Sequence, residues 1–408
     1  GLPAPRHTFS MIIPPRFVAV LLAAAPLAAQ NPTPEETRFQ RFVRQSREAE
    51  AKGLAEPFRG ITATGKVEPG LFPVRSTGVS TGPVREAARA FLAALRPAQR
   101  AKTVFPVDDP EWRKWMNQHF YVRQGVSFQE MDEAQRAAAF GLMRAGLSAR
   151  GLALARDIMR LNHTLGELNG DNFTEYGEWL YWITVMGEPS GDKPWGWQVD
   201  GHHLIINYFV LGDQVVMSPV FVGSEPVTAR AGLHRGVSIL QGEQDAGLAF
   251  FRSLSADQRR RAVLRPGKDG NDNLTEAFRD NVVVDYAGIP ARELDPAQRA
   301  ALLDLVARHV GNLADGHARV KMDEVRAQLD RTHFAWIGGD APDGVFYYRI
   351  HSPVVLVEFD HQRPANLRHL AADPRLPNRE HIHVVVRTPN GNDYGKDLLR
   401  QHLAAAPH

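Results

Sequence analysis

The chain has 408 residues and 45.3 kDa, 43% hydrophobic and 23% charged, which is the make-up of an ordinary globular protein with room for a large core. Its 48 Lys and Arg against 46 Asp and Glu leave a formal charge of +2, so the balance selects no nucleic-acid partner. There is no cysteine, which removes disulfides, thiolate metal ligands and thiol nucleophiles together.

Residues 11–30 read as an export signal. Arg16 supplies the positive start, residues 17–25 the apolar stretch, and Pro26-Leu27-Ala28-Ala29 the approach to a cleavage near residues 28–29. The apolar part is too short to span a bilayer, and no other run favours stable membrane insertion. The expected setting is periplasmic or secreted. The sequence divides into 1–30 as extension and signal, 31–82 as an N-terminal helix and extended loop, and 83–408 as a single α+β domain of catalytic type. That domain carries a helical insert at about 240–330.

In chain order, residues 35–52 predict a helix and 53–83, rich in Gly, Pro, Thr and Ser, a long loop on the body. A local pattern then recurs four times, at Leu95-Arg-Pro-Ala-Gln-Arg, Met131-Asp-Glu-Ala-Gln-Arg, Leu254-Ser-Ala-Asp-Gln-Arg and Leu294-Asp-Pro-Ala-Gln-Arg. Asp132, Ser255 and Asp295 are placed as N-caps, with Gln135, Gln258 and Gln298 closing capping boxes. The irregular spacing argues against a solenoid. Between the first two starts, Trp112, Trp115, Phe120 and Tyr121 form either an aromatic plug between layers or a ligand wall beside His119. Residues 132–147 and 148–168 predict two helices.

Residues 178–186 alternate as a strand. Residues 195–210 predict one continuous strand, with Gly212-Asp213 as the turn and 214–219 returning. On such a strand the rings of His202 and His203 face opposite ways. Residues 221–236 read as irregular, 241–264 as two helical pieces, and 266–273 as a surface turn without the ligand spacing of a calcium loop. Helices follow at 294–310 and 317–329, then strands at 333–338, 345–351, 354–360 and 381–388, and a closing helix at 394–403. The expected fold is α+β: an antiparallel or mixed sheet of central and C-terminal strands, packed against several helices on one side.

The chemistry concentrates in the two β regions. His381 and His383 are i and i+2 on a strand, on one face and about 6.5–7 Å apart along the backbone, so both imidazoles can reach one ion. Glu358, flanked by Val357 and Phe359, is a candidate ligand, orienting partner or general base. Arg387 and Tyr394 are candidates for orienting substrate. Adding His202 or His203 gives three or four nitrogen and oxygen ligands, a set open to zinc, copper or iron. Neither HExxH nor GxSxG occurs.

Across FTEYGEWLYWITVMG, WGWQVDGHHLIINYFV, SPVFVGSEP, FYYRIHSPVVLVEFDHQ and HIHVVVRTPNGNDYG the chain resembles the exported family catalogued as domain of unknown function 3500. The resemblance runs over most of the chain beyond about residue 80 and implies no settled reaction. It implies His202, His203, Glu358, His381 and His383 as shared site elements. The leading functional reading is an exported metal-dependent hydrolase, with zinc foremost, acting on a small-molecule, glycan or peptide substrate. A copper- or iron-dependent oxidoreductase stands beside it. A non-enzymatic envelope protein, binding a ligand through Trp112, Trp115, Trp179, Trp182, Trp195 and Trp197, is the third.

Overall fold

A computed structural model describes residues 37–405; the segment 11–30, expected to be an export signal, lies outside these residues. The helices are α1 (Arg38–Ala55), α2 (Gly82–Ala94), α3 (Pro97–Ala101), α4 (Glu133–Gly146), α5 (Ala149–Leu168), α6 (Gln241–Ser253), α7 (Ala256–Ala262), α8 (Pro296–Val310), α9 (Asp315–Ala327) and α10 (Lys396–Ala405). The strands are β1 (Val104–Phe105), β2 (Val126–Ser127), β3 (Tyr181–Met186), β4 (Trp195–Gly201), β5 (Leu204–Leu211), β6 (Gln214–Ser224), β7 (Val263–Arg265), β8 (Ile289–Pro290), β9 (His333–Gly338), β10 (Phe346–His351), β11 (Leu356–His361) and β12 (Ile382–Arg387).

All twelve strands belong to one mixed sheet in the order β1-β3-β4-β5-β6-β12-β11-β10-β9-β7, with β2 on β3 and β8 on β9. The order reads alike from either edge. In each half a helix pair leads to an edge strand parallel to the next long strand: β1 on β3, β7 on β9. A two-residue strand then pairs antiparallel with that long strand, two helices follow, and a four-stranded meander closes the half. The halves join through antiparallel β6 and β12.

The four recurring helix starts fall into place on this repeat. Asp132, Ser255 and Asp295 form the capping boxes with Gln135, Gln258 and Gln298. The starts also face each other two by two. Gln99 and Gln135 exchange side-chain amide hydrogen bonds at 2.8 and 3.4 Å, and Gln258 and Gln298 do the same at 2.8 and 2.9 Å. Each glutamine thus closes its own helix and ties it to the neighbouring start.

The two faces of the sheet differ in chemistry. Register places Phe346, Tyr348, Val357, Phe359, Val384 and Val222 on one face, under helices such as α6 and α8. Gly247 of α6 sits on the Tyr348 ring, where a Cβ would lie 2.3 Å from Cε1. The other face carries Tyr347, Arg349, Glu358, Asp360, His383 and Arg387. Irregular chain covers this side, including residues 266–288 and 389–394. Buried irregular backbone needs hydrogen-bond partners, and a polar sheet face supplies them.

Two local expectations are overturned. Residues 195–210 are not one strand: β4 stops at Gly201 and β5 starts at Leu204, with His202-His203 as a two-residue hairpin turn. His203 takes φ 61, a conformation His tolerates better than most residues but which no Gly or Asn announces. Residues 221–224 are not irregular, since β6 runs to Ser224 and pairs with β12. Residues 266–273 are the irregular surface segment expected, and it is anchored inward: the Lys268 side chain is covered and pairs with Asp360 at 2.9 Å, and the Asp272 N–H donates to the same carboxylate at 2.7 Å.

Asp295→Ala is expected to lower the unfolding free energy by about 1 kcal/mol through loss of the cap. Gln298→Ala should lower it further, because that amide also holds Gln258 and donates to the Ser253 carbonyl at 3.0 Å. Shifts in denaturant midpoint at unchanged slope would measure both.

Candidate metal centre

Register brings the histidines together. His383 pairs with Gly223 across β12 and β6, and the Gly223 N–H donates to the His203 carbonyl at 2.9 Å. The His203 N–H donates in turn to the Asn117 carbonyl at 3.1 Å, which fixes the turn from its other side. Gly223 leaves the space the rings need. A Cβ there would meet the Ile382 carbonyl oxygen at 2.4 Å and the Cδ2 atoms of His203 and His383 at 3.3 and 3.4 Å.

The three Nε2 atoms form a small triangle: His381 to His383 3.0 Å, His203 to His383 3.1 Å, His203 to His381 3.3 Å. All three residues are buried, and together they make up the one group of potential metal ligands of this kind among the described residues. The far sides of two rings fix their tautomers. His381 Nδ1 lies 2.7 Å from the Arg363 carbonyl oxygen, which only accepts, so this nitrogen carries the proton. His383 Nδ1 lies 2.7 Å from Glu276 Oε1 and donates to that carboxylate. Both Nε2 atoms therefore present lone pairs to each other. Burial, and then the neighbouring rings, hold His203 and His383 well below the ordinary imidazole range, which keeps these rings neutral.

A cation fits this arrangement. With bonds of about 2.05 Å, separations of 3.0–3.3 Å subtend about 94–107° at the ion, close to tetrahedral. Three protein ligands on one side leave the remaining coordination positions open.

Glu276 is the residue of the candidate site that sequence reasoning missed. It follows the 266–273 segment, where the sequence shows only turn residues. Burial pushes its carboxyl up to about 7, against the lowering effect of the His381 ring.

The structure does not bring His202, Glu358, Arg387 or Tyr394 into the triangle. His202 stacks on His203 with ring centroids 4.1 Å apart, so the turn puts both rings together rather than on opposite faces. Its Nδ1 donates to Asn162 Oδ1 at 2.8 Å, and its Nε2 is buried without a partner. Glu358 is fully buried and accepts four hydrogen bonds: from the Leu274 N–H at 2.8 Å, the Thr275 N–H at 3.0 Å, the Thr275 hydroxyl at 2.5 Å and the Tyr347 hydroxyl at 2.7 Å. Burial pushes its pKa up while these donors oppose the shift. Arg387 donates to the Thr275 and Glu276 carbonyls at 2.8 and 3.0 Å and pairs with Asp280 and Asp393 at 2.8 and 3.2 Å. The Tyr394 hydroxyl donates to Asp280 at 2.9 Å and accepts from Trp115 Nε1 at 2.9 Å.

Glu358 and Arg387 thus reach the triangle through one loop. Glu358 takes the N–H groups of residues 274–275, Arg387 takes the carbonyls of 275–276, and the loop delivers Glu276 to His383. His361 lies on the other face, bonded to Gln244 at 2.9 Å, and His351 packs on Tyr286 at 4.6 Å, so neither joins the triangle. Trp112, Trp115 and Tyr121 are buried, as an aromatic plug between layers requires, whereas Phe120 and His119 line a cleft; Trp195 and Trp197 are fully buried and form no ligand wall.

The chain belongs to the family described as protein of unknown function (DUF3500), whose model matches residues 77–396. No curated protein and no solved structure matches the chain. Among the described residues, no helix is long and apolar enough to cross a membrane.

Gly223→Ala should separate the rings and weaken metal binding, and it should also lower stability, because the added methyl meets the Ile382 carbonyl oxygen in the β6–β12 ladder. Glu276→Gln, which keeps the shape and loses the charge, should weaken metal affinity by about 10–100-fold. Isothermal titration with zinc checks both.

Proposed function

We propose that His203, His381 and His383 hold one divalent metal ion, zinc foremost, and that the protein is an exported metal-dependent hydrolase. The carrying observation is the pair of imidazole lone pairs, His381 Nε2 and His383 Nε2, facing each other at 3.0 Å with their other nitrogens committed as donors. Two buried acceptors at that distance repel unless a cation lies between them. Three neutral nitrogens leave room for water and substrate. A bound ion would polarise a substrate oxygen and bring the pKa of its water toward about 7. The chain's own contribution is to hold the rings: Glu276 and the Arg363 carbonyl orient two of them, and the 202–203 turn presents the third.

A redox reading with copper or iron is favoured by one feature, the all-imidazole donor set without carboxylate or thiolate. The export signal at residues 11–30 supports a periplasmic or secreted location for either reading.

Protein purified without added metal is expected to carry about one zinc ion per chain by mass spectrometry of the elements. His381→Ala and His383→Ala should each abolish it, and chelation should lower the melting temperature reversibly. Stoichiometric copper or iron would replace the hydrolase with the redox reading. No bound metal, even after supplementation, would defeat both.

A further inference from the structure

The alignment of β6 with β12 continues one step past its last pair. Ser224 lies opposite Ile382, so the next residue, Glu225, comes opposite His381, on the side that carries Gly223 and His383. The Val227 N–H still reaches the Glu380 carbonyl at 3.1 Å, so the two segments stay side by side there. Glu225 is 2% exposed, and its carboxylate lies 3.9 Å from His381 Nδ1. Both of its oxygens accept backbone N–H groups: Oε1 from Ala365 and Leu367 at 3.0 and 3.2 Å, and Oε2 from Asn366 at 2.7 Å.

Glu225 is thereby connected to the triangle in two ways. The first is mechanical. His381 Nδ1 donates to the Arg363 carbonyl at 2.7 Å, and Glu225 holds the N–H groups just further along the same segment. The carboxylate fixes the backbone that fixes the ring. Glu358 stands in the same relation to residues 274–276 and His383. The second connection is electrostatic. Imidazoles bind a metal as neutral donors, so the triangle sets no preference for the charge of the ion. Behind it stand two carboxylates, Glu276 2.7 Å from His383 Nδ1 and Glu225 beside His381 Nδ1. Two negative charges balance a divalent ion and overbalance a monovalent one. Burial sharpens that difference, because interior charges are weakly screened.

Building on the metal-centre reading, we propose that Glu225 positions His381 and, together with Glu276, selects a divalent ion over a monovalent one. Specificity for the charge of the ion then lies outside the ligand triangle, in carboxylates that do not touch the metal. Zinc, iron(II) and copper(II) are accepted, and copper(I) is disfavoured.

The test compares the zinc and copper(I) affinities of the full chain, each by competition with a chromophoric chelator, with copper(I) handled under nitrogen. A Coulomb interaction scales with the charge of the ion, so the loss in log affinity should be twice as large for zinc as for copper(I). Glu225→Gln should weaken zinc about tenfold and copper(I) only about threefold. Glu276→Gln should split the two ions in the same direction, which keeps the test open where Gln at 225 disturbs folding. Glu225→Asp keeps the charge and should keep the ratio of the two affinities, even where both fall. Equal weakening of both ions by the Gln variants, the result of a purely structural role, or no weakening of either, would overturn the charge selection. In metal-free protein, nitrogen NMR of the rings should show His381 protonated at Nδ1, and Glu225→Gln should release it to a mixture of tautomers. An unchanged ring spectrum would overturn the positioning. Failure of the unaltered chain to bind either ion would defeat the metal reading and the charge selection together, and the ring spectrum would still decide the positioning.

Discussion

The structure depends on the antiparallel pairing of β6 with β12. That ladder joins two halves of like topology, and its register sets His383 opposite Gly223. A shift of one residue would turn His383 to the helical face and replace it with a valine or isoleucine. The same register brings the 202–203 turn alongside, because the Gly223 N–H bonds to His203. The candidate metal centre is therefore a property of the junction. One imidazole comes from the first half and two from the second.

The polar face of the sheet follows from what covers it. Helices satisfy their own backbone and can lie on Phe346, Tyr348 and Phe359. The irregular segments on the opposite face cannot, so they require buried side chains that accept and donate. Glu358 and Arg387 do this for residues 274–276 from both sides. Two charged residues on core strands resemble catalytic groups in a linear sequence. Here their observed bonds fix the backbone of a loop, and through it the position of the Glu276 carboxylate against His383.

Local features were legible in the sequence where a local interaction decides them. The capping boxes at Asp132, Ser255 and Asp295, the helices they start, and the strands at 333–338 and 345–351 all depend on near neighbours. So did the pairing of His381 and His383 on one side of the chain. The hairpin turn at His202-His203 was hidden because β-forming residues flank it and neither turn residue is Gly, Asn or Asp. Glu276 was hidden because nothing adjacent to it signals a ligand sphere. The four similar helix starts were visible, but their grouping into two equivalent halves was not.

The sequence by itself determined an α+β chain without thiolate ligands, its family, most of its elements and the presence of histidines suited to a metal ion. Those properties are set by residue type and by spacing within a few residues. Tertiary structure alone decided that His203 and not His202 completes the triangle, that Glu358 and Arg387 hold a loop, and that Glu276 backs His383. Each of these is a contact between segments separated by about 80 to 180 positions in the chain. Such contacts arise only from strand register and from the need of buried backbone for partners, and neither is written in any one stretch of residues.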